Sequence, residues 1–176
     1  MNIFILSYDP VEAAQFLCDK HVTKMGLEAV QMMSTALFLC NSKDIEYDAS
    51  FWKDCWDHPA RSSSIRAYKP THKSHPCTLW ARAQINYNWL RRHAEAIFDE
   101  HVVRYGTRPH TARVLEQLPR FPEVQGPVRF VLAMPDHLKG PDPVEAYRRY
   151  YRSDKAALAR WTNRPVPEWM HEDKLA

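Results

Sequence analysis

Glycine is scarce, at four of 176 residues. Runs of β-branched residues are also few. Together these shortages argue against the turn-rich, alternating pattern of a β-sandwich or barrel. No apolar run approaches the roughly 20 residues of a membrane-spanning helix. The apolar start Met1–Leu6 lacks the basic flank and cleavage site of a secretory signal. Four cysteines, Cys18, Cys40, Cys55 and Cys77, form no CxxC pair. The expectation is a cytoplasmic protein with reduced thiols. Acidic residues are missing altogether from His58 to Ala94, a stretch that carries Arg61, Arg66, Lys69, Lys73, Arg82, Arg91 and Arg92. The net charge is only +3. It is the distribution, not the total, that points to a polyanionic partner.

The length suits one domain with a sizeable core, spanning 1–176. Helical periodicity dominates, and the fold class expected is all-α: a single compact helical domain with two long helices, a basic loop and a C-terminal helix. "NIFILSY" (2–8) reads as a short extended segment. Asp9 and Pro10 form an N-cap and first-turn pair that opens a helix from Pro10 to about Leu39. Residues 41–57 read as loop plus a short helix, and 58–76 as a long basic surface loop. A second long helix is predicted from about Thr78, its cap, to Tyr105, stopped by Gly106. A shorter helix is expected over 110–118. "PVRFVLAMP" (127–135) reads as extended or as one turn of helix. A last helix is expected from Pro143 to about Trp161, before an irregular tail.

Two helices carry polar residues at the edge of their apolar face. On the first, His21 and Glu28 lie within about 20° of one another, with Lys24 about 40° from Glu28. Lys20 and Gln31 flank that side. On the second, Arg82, Asn86, His93, Glu100 and Arg104 share roughly 40° of the wheel. Two such edges can meet over a polar cleft, or can simply be salt-bridged boundary faces. In the basic loop, His72 and His75 stand near Cys77. Without a second spaced pair of ligands they suit phosphate contacts better than zinc, so no metal site is assigned. In "AYRRYYRSDKAALARW" (146–161), Arg148, Arg149 and Arg152 alternate with tyrosines. That mixture grips phosphates and stacks on unpaired bases, although one face of any such helix must point to the core.

The spacing Asp19-x-His21-x6-Glu28, the "HPCTLWARAQINYNWLRRHAEAIFDEHVVRYG" helix, the basic final helix and "NRPVPEW" together resemble the bacteriophage pyrimidine-dimer DNA glycosylase/AP lyase family of the endonuclease V type. The resemblance spans most of the chain. It implies a helical repair enzyme with lyase and hydrolase character that needs no cofactor. It also implies a nucleophilic N-terminal α-amine, here that of Met1, or of Asn2 if Met1 is removed. The amine displaces the base at C1′ through a Schiff base, and β-elimination then cuts the strand. The family's catalytic carboxylate falls on Glu28, and His21 falls at the DNA-facing edge beside it. Contacts to DNA, with RNA or a nucleotide as alternatives, are assigned to Lys24, Gln31, Lys69, His72, Lys73, His75, Arg82, Asn86, His93, Arg148, Arg149 and Arg152. A monomer and no membrane association are expected. Leu27 and Gln31 stand where the family has arginines, so another base or a modified base fits equally well as the target. Two rival readings remain open at this point. One is a non-enzymatic nucleic-acid-binding protein on the same scaffold. The other is a base-modifying or hydrolytic enzyme using His21, Glu28, His72 and His75.

Overall fold

The first long helix is in fact two. The computed structural model describes residues 1–39, 67–123 and 125–174; the readings for 41–57 and 58–66 lie outside them. Helix α1 (Pro10–Phe16) opens as expected: the Asp9 carboxylate accepts the Val11 and Glu12 N–H groups at 2.9 and 2.8 Å. It stops at Leu17, whose backbone is extended, and α2 (Asp19–Leu39) begins two residues later. Tertiary bonds explain the break. Leu17 and Cys18 are fully buried. The turn hands the Asp19 carboxylate to Arg104 Nη1 at 3.0 Å and to Thr162, whose hydroxyl donates at 2.9 Å. Asp19 N–H donates to the Arg160 carbonyl at 2.8 Å. A hydrogen bond to a charged group contributes about 1.5–3 kcal/mol against about 1 for an ordinary backbone bond, so this cluster outweighs helical continuity.

The second long helix is also interrupted. Helix α3 (Pro76–Trp80) is capped by His75, not by Thr78: the His75 Nδ1 accepts the Cys77 N–H at 3.2 Å. After a break at 81–83, α4 runs over Gln84–Tyr105. The Asn86 amide donates to the Trp80 carbonyl at 2.8 Å, satisfying a group freed at the end of α3. Gly106 ends α4 with φ +69°, a left-handed cap for which glycine carries no steric cost.

Helix α2 packs against α4 around Met25, Ala29, Met32, Leu90, Ala94, Ile97 and Phe98. At Gly26 the helices come so close that a Cβ would lie 2.5 Å from Phe98 Cε1. Helix α5 (Thr111–Gln117) matches the prediction within a residue or so. Its end is held by the Arg91 guanidinium, which donates to the Leu115, Leu118 and Pro119 carbonyls at 3.0–3.1 Å. Helix α6 (Pro143–Tyr150) opens on an Asp142 cap and continues as a π-helical turn, Tyr151–Lys155, and a 3-10 turn, Ala156–Leu158. The tail is not wholly irregular, since Glu168–Lys174 forms a 3-10 helix whose Trp169 is buried. All the regular structure among the described residues is helical, so the all-α class holds. None of the described helices is long and apolar enough to cross a membrane.

Two non-helical segments complete the architecture. Ile3–Ser7 are buried without a strand partner. Side chains supply hydrogen bonds to this segment and to Tyr8 just after it: Arg148 Nε donates to the Leu6 carbonyl at 3.0 Å and Trp89 Nε1 to that of Tyr8 at 2.8 Å. Segment 127–135 forms no helical turn and is half-buried where full burial was one expectation. Trp80 Nε1 pins it by donating to the Arg129 carbonyl at 2.6 Å.

Candidate active site

The amino end of the chain folds back onto the middle of α2. The Met1 α-amine lies 3.9 Å from Glu28 Oε2. The same oxygen accepts the Asn2 backbone N–H at 2.9 Å. Lys24, one turn earlier, places its ammonium 3.1 Å from the other oxygen, Oε1. Glu28 is almost buried at 12% side-chain exposure, whereas Lys24 is 66% exposed. The carboxylate is therefore a shielded group with one face toward the amine and one ion-paired edge toward solvent. The Met1 side chain is buried too, and the Thr78 hydroxyl donates toward its sulfur at 3.7 Å.

Asn2 gives the terminus its shape. Its Oδ1 accepts the N–H of Ile3 at 2.7 Å and of Phe4 at 3.3 Å, and its Nδ2 donates to the Ala133 carbonyl at 2.8 Å. Phe4 then takes φ +51°, a region costly for a bulky residue and held only where surroundings enforce it. They do: its ring stacks on His21 at 4.1 Å and meets Tyr147, Tyr150 and Tyr151 at 5.4–6.0 Å.

His21 is not at an exposed DNA-facing edge. It is buried beneath Phe4, with Nδ1 hydrogen-bonded to the Tyr151 hydroxyl. Burial first, then the charges of Lys155 and Lys24, lower its pKa to about 4, so the imidazole is neutral near pH 7. Its place is beneath the amine-bearing segment, as a prop for Phe4.

The basic loop divides in two. Lys69, His72 and Lys73 are exposed. His72 bonds to the Thr71 hydroxyl, and the Lys73 ammonium lies over the Phe38 ring at 5.2 Å. Thr71 ties the loop to α2, its N–H donating to Thr35 Oγ1 at 3.1 Å. His75 sits further in. Its pKa is lowered by burial and then by the positive charges of the Met1 amine and His72, with Glu28 opposing. The charges of the Met1 amine and Glu28 both act on His75, which puts it in the electrostatic neighbourhood of the amine and the carboxylate. Cys77 shares that neighbourhood, but burial pushes its thiol up to about 12, so it is an unreactive thiol there.

Several residues assigned to nucleic acid turn inward instead. His93 is buried at 1% exposure, its Nδ1 bonded to the Pro10 carbonyl at 2.9 Å. Asn86 is buried and spent on Trp80. Glu100 and Arg104 pair with each other and with Arg164 and Asp19. That edge of α4 is internal scaffolding, not the second wall of a polar cleft. Arg148 donates to Leu6 and lies over Phe16 and Trp169, and Arg152 pairs with Glu145 at 2.7 Å. Arg149 alone of the three arginines is exposed. Gln31 and Arg82 are half-buried, Arg82 in the α3–α4 break. An apolar cleft of about 650 Å³ lies beside that break, lined by Leu79, Trp80, Ile85, Arg129 and Val131 among others.

Sequence reasoning gave Phe4 no role, Thr78 only that of a cap, and Tyr147 and Tyr151 a place among tyrosines that stack on bases. The i, i+4 spacing of Tyr147 and Tyr151 was a usable signal for one buried aromatic face. Nothing in the sequence linked Asn2 to Ala133.

A family model described as pyrimidine dimer DNA glycosylase matches residues 1–113. The matched part contains Met1, Asn2, His21, Glu28 and His75, and ends inside α5. No curated protein and no solved structure matches the chain.

Proposed function

The chain belongs to the pyrimidine dimer DNA glycosylase family, with the DNA substrate and glycosylase-type repair function that membership carries, and from that premise we propose that it opens damaged DNA through an N-terminal α-amine assisted by Glu28. The supporting observation is the 3.9 Å separation of the Met1 amine and Glu28 Oε2 across 27 positions of sequence. Were Met1 removed, the nitrogen of Asn2, 2.9 Å from the same oxygen, would take its place.

In this reading Glu28 accepts a proton from the ammonium. The neutral nitrogen then attacks C1′. The N–C1′ bond forms as the glycosidic bond breaks, and the base leaves with that electron pair and takes the proton from Glu28, which is then a carboxylate again. Opening of the sugar breaks C1′–O4′, the nitrogen passes one of its two protons through Glu28 to O4′, and a protonated Schiff base is left. Loss of a C2′ proton then expels the 3′ phosphate, and water frees the amine. A carboxylate shielded from solvent stabilises the cationic sugar more strongly than one in water. Reaching C1′ requires opening the duplex. Exposed Lys69, His72, Lys73 and Arg149 are the candidates for holding its phosphates.

The test is borohydride trapping. Incubation with DNA carrying an abasic site or a pyrimidine dimer should give a covalent adduct, mapped by peptide mass spectrometry to residue 1 or 2. Glu28→Gln should cut its formation by about 100-fold or more, in the range seen on removing one electrostatic catalytic group. An unreduced adduct yield in that variant, or an adduct mapped to Lys24, would sink the reading.

A further inference from the structure

The family match ends at residue 113, yet the amine-bearing segment is fastened to residues beyond it. The fastening runs through one side chain. Asn2 Nδ2 donates to the Ala133 carbonyl at 2.8 Å, while Asn2 Oδ1 accepts from Ile3 and Phe4 and its backbone N–H holds Glu28. Ala133 is fixed in turn, because its N–H donates to the Tyr147 hydroxyl at 3.2 Å and that hydroxyl donates to the Val131 carbonyl at 3.1 Å. Tyr147 is fully buried and packs edge-on against Phe4. Strap 131–133, Tyr147, Phe4 and Asn2 thus form a closed loop of contacts around the first turn of the chain.

Resting on the reading above, we propose that Asn2 is a positioning residue: by clamping the chain's first turn to strap 131–133, it holds the α-amine against Glu28.

The physical need is clear. A chain terminus has no covalent partner on one side, and free termini fray unless tied down. The positive φ at Phe4 is unfavourable for its side chain. Without the clamp the segment relaxes toward extended backbone and carries the amine away from the carboxylate. Displacements of about 1 Å cost up to ~100-fold in rate. The burial of the Met1 and Phe4 side chains keeps the fold intact while this happens, so chemistry and stability separate.

The experiment measures single-turnover trapping on abasic DNA with the unmodified chain, Asn2→Leu, Asn2→Gln and Tyr147→Phe. Intact mass checks that residue 1 is the same in all four. Affinity is read separately by anisotropy on DNA with a non-reactive tetrahydrofuran site, and folding by thermal denaturation. Asn2→Leu should slow trapping by about 10- to 100-fold with affinity within twofold. Asn2→Gln should not rescue it, since its longer side chain cannot meet Ala133 and Ile3 together. Tyr147→Phe, which leaves the terminus untouched, should slow trapping in the same sense by a smaller factor. Unchanged rates in both Asn2 variants, or a loss confined to affinity, overturn the proposal while leaving the amine mechanism standing. Absence of trapping by the unmodified chain overturns both.

Discussion

The Asn2 backbone N–H and the Met1 amine converge on one carboxylate oxygen, Oε2 of Glu28, at 2.9 and 3.9 Å. A residue in the middle of a long helix and the first residues of the chain therefore form one unit. That unit depends on the packing beneath it, and four consequences can be measured.

Stability should fall in mildly acidic solution. His21 and His93 are each lowered to about 4, chiefly by burial. Between pH 6.5 and 4 the unfolded chain takes up protons that the folded one refuses. Their contribution is thus complete above about pH 6.5 and is lost progressively as pH falls toward 4, on the order of 3 kcal/mol per imidazole over the whole window. Urea unfolding at pH 7.5, 6 and 5 measures the slope, which His93→Gln should flatten. A pH-independent midpoint would contradict the buried neutral state.

Glu100→Ala should be strongly destabilising. Glu100 is 4% exposed and takes Arg104 at 3.2 Å and Arg164 at 2.6 Å. Its loss removes one of the two carboxylates on the buried Arg104 guanidinium, which keeps Asp19 at 3.0 Å, so the cost falls at the lower end of the about 3–5 kcal/mol for breaking a buried ion pair. Calorimetry should show a matching fall in Tm, and proteolysis should begin in the tail beyond Arg160, which this network anchors.

Gly26→Ala brings two opposing terms. Helix propensity favours alanine by about 1 kcal/mol. A new Cβ would sit 2.5 Å from Phe98 Cε1, in a ring only 2% exposed, and overpacking costs about 1–3 kcal/mol. The clash should win, giving net destabilisation of up to about 2 kcal/mol. Adding Phe98→Leu should recover part of it; additive losses in the double variant would refute the contact.

Charge removal at Lys69 and Lys73 should weaken DNA binding without touching the fold, since both are exposed. The doubly substituted Lys69→Ala, Lys73→Ala chain should bind with a log K versus log salt slope shallower by roughly 1–2. An unchanged slope would show that the phosphates lie elsewhere.

The helical class, the Asp9 cap, the Gly106 stop and the placing of His21 and Glu28 on one side of a helix were legible in the sequence, because each depends on residues within a turn or two of one another. Glu28 stood out through the family resemblance, since the helical wheel alone fits a solvent face equally well. The break at Leu17 was not legible, because its cause is Arg104 and Thr162, 85 and 143 positions from Asp19. Nor was the internal fate of His93, Asn86 and Glu100. A helical wheel gives the direction of a side chain but not what covers it, and here the partners are Pro10, Trp80 and Arg164.

By itself, then, the sequence determined the local elements and a carboxylate on a helix edge, since propensity, capping and periodicity act over short distances. Only the tertiary structure decided that the first residue of the chain meets that carboxylate, and that His21 is buried beneath Phe4. Those outcomes depend on burying Phe4 and the tyrosines of α6 together, a long-range packing term that no local pattern encodes.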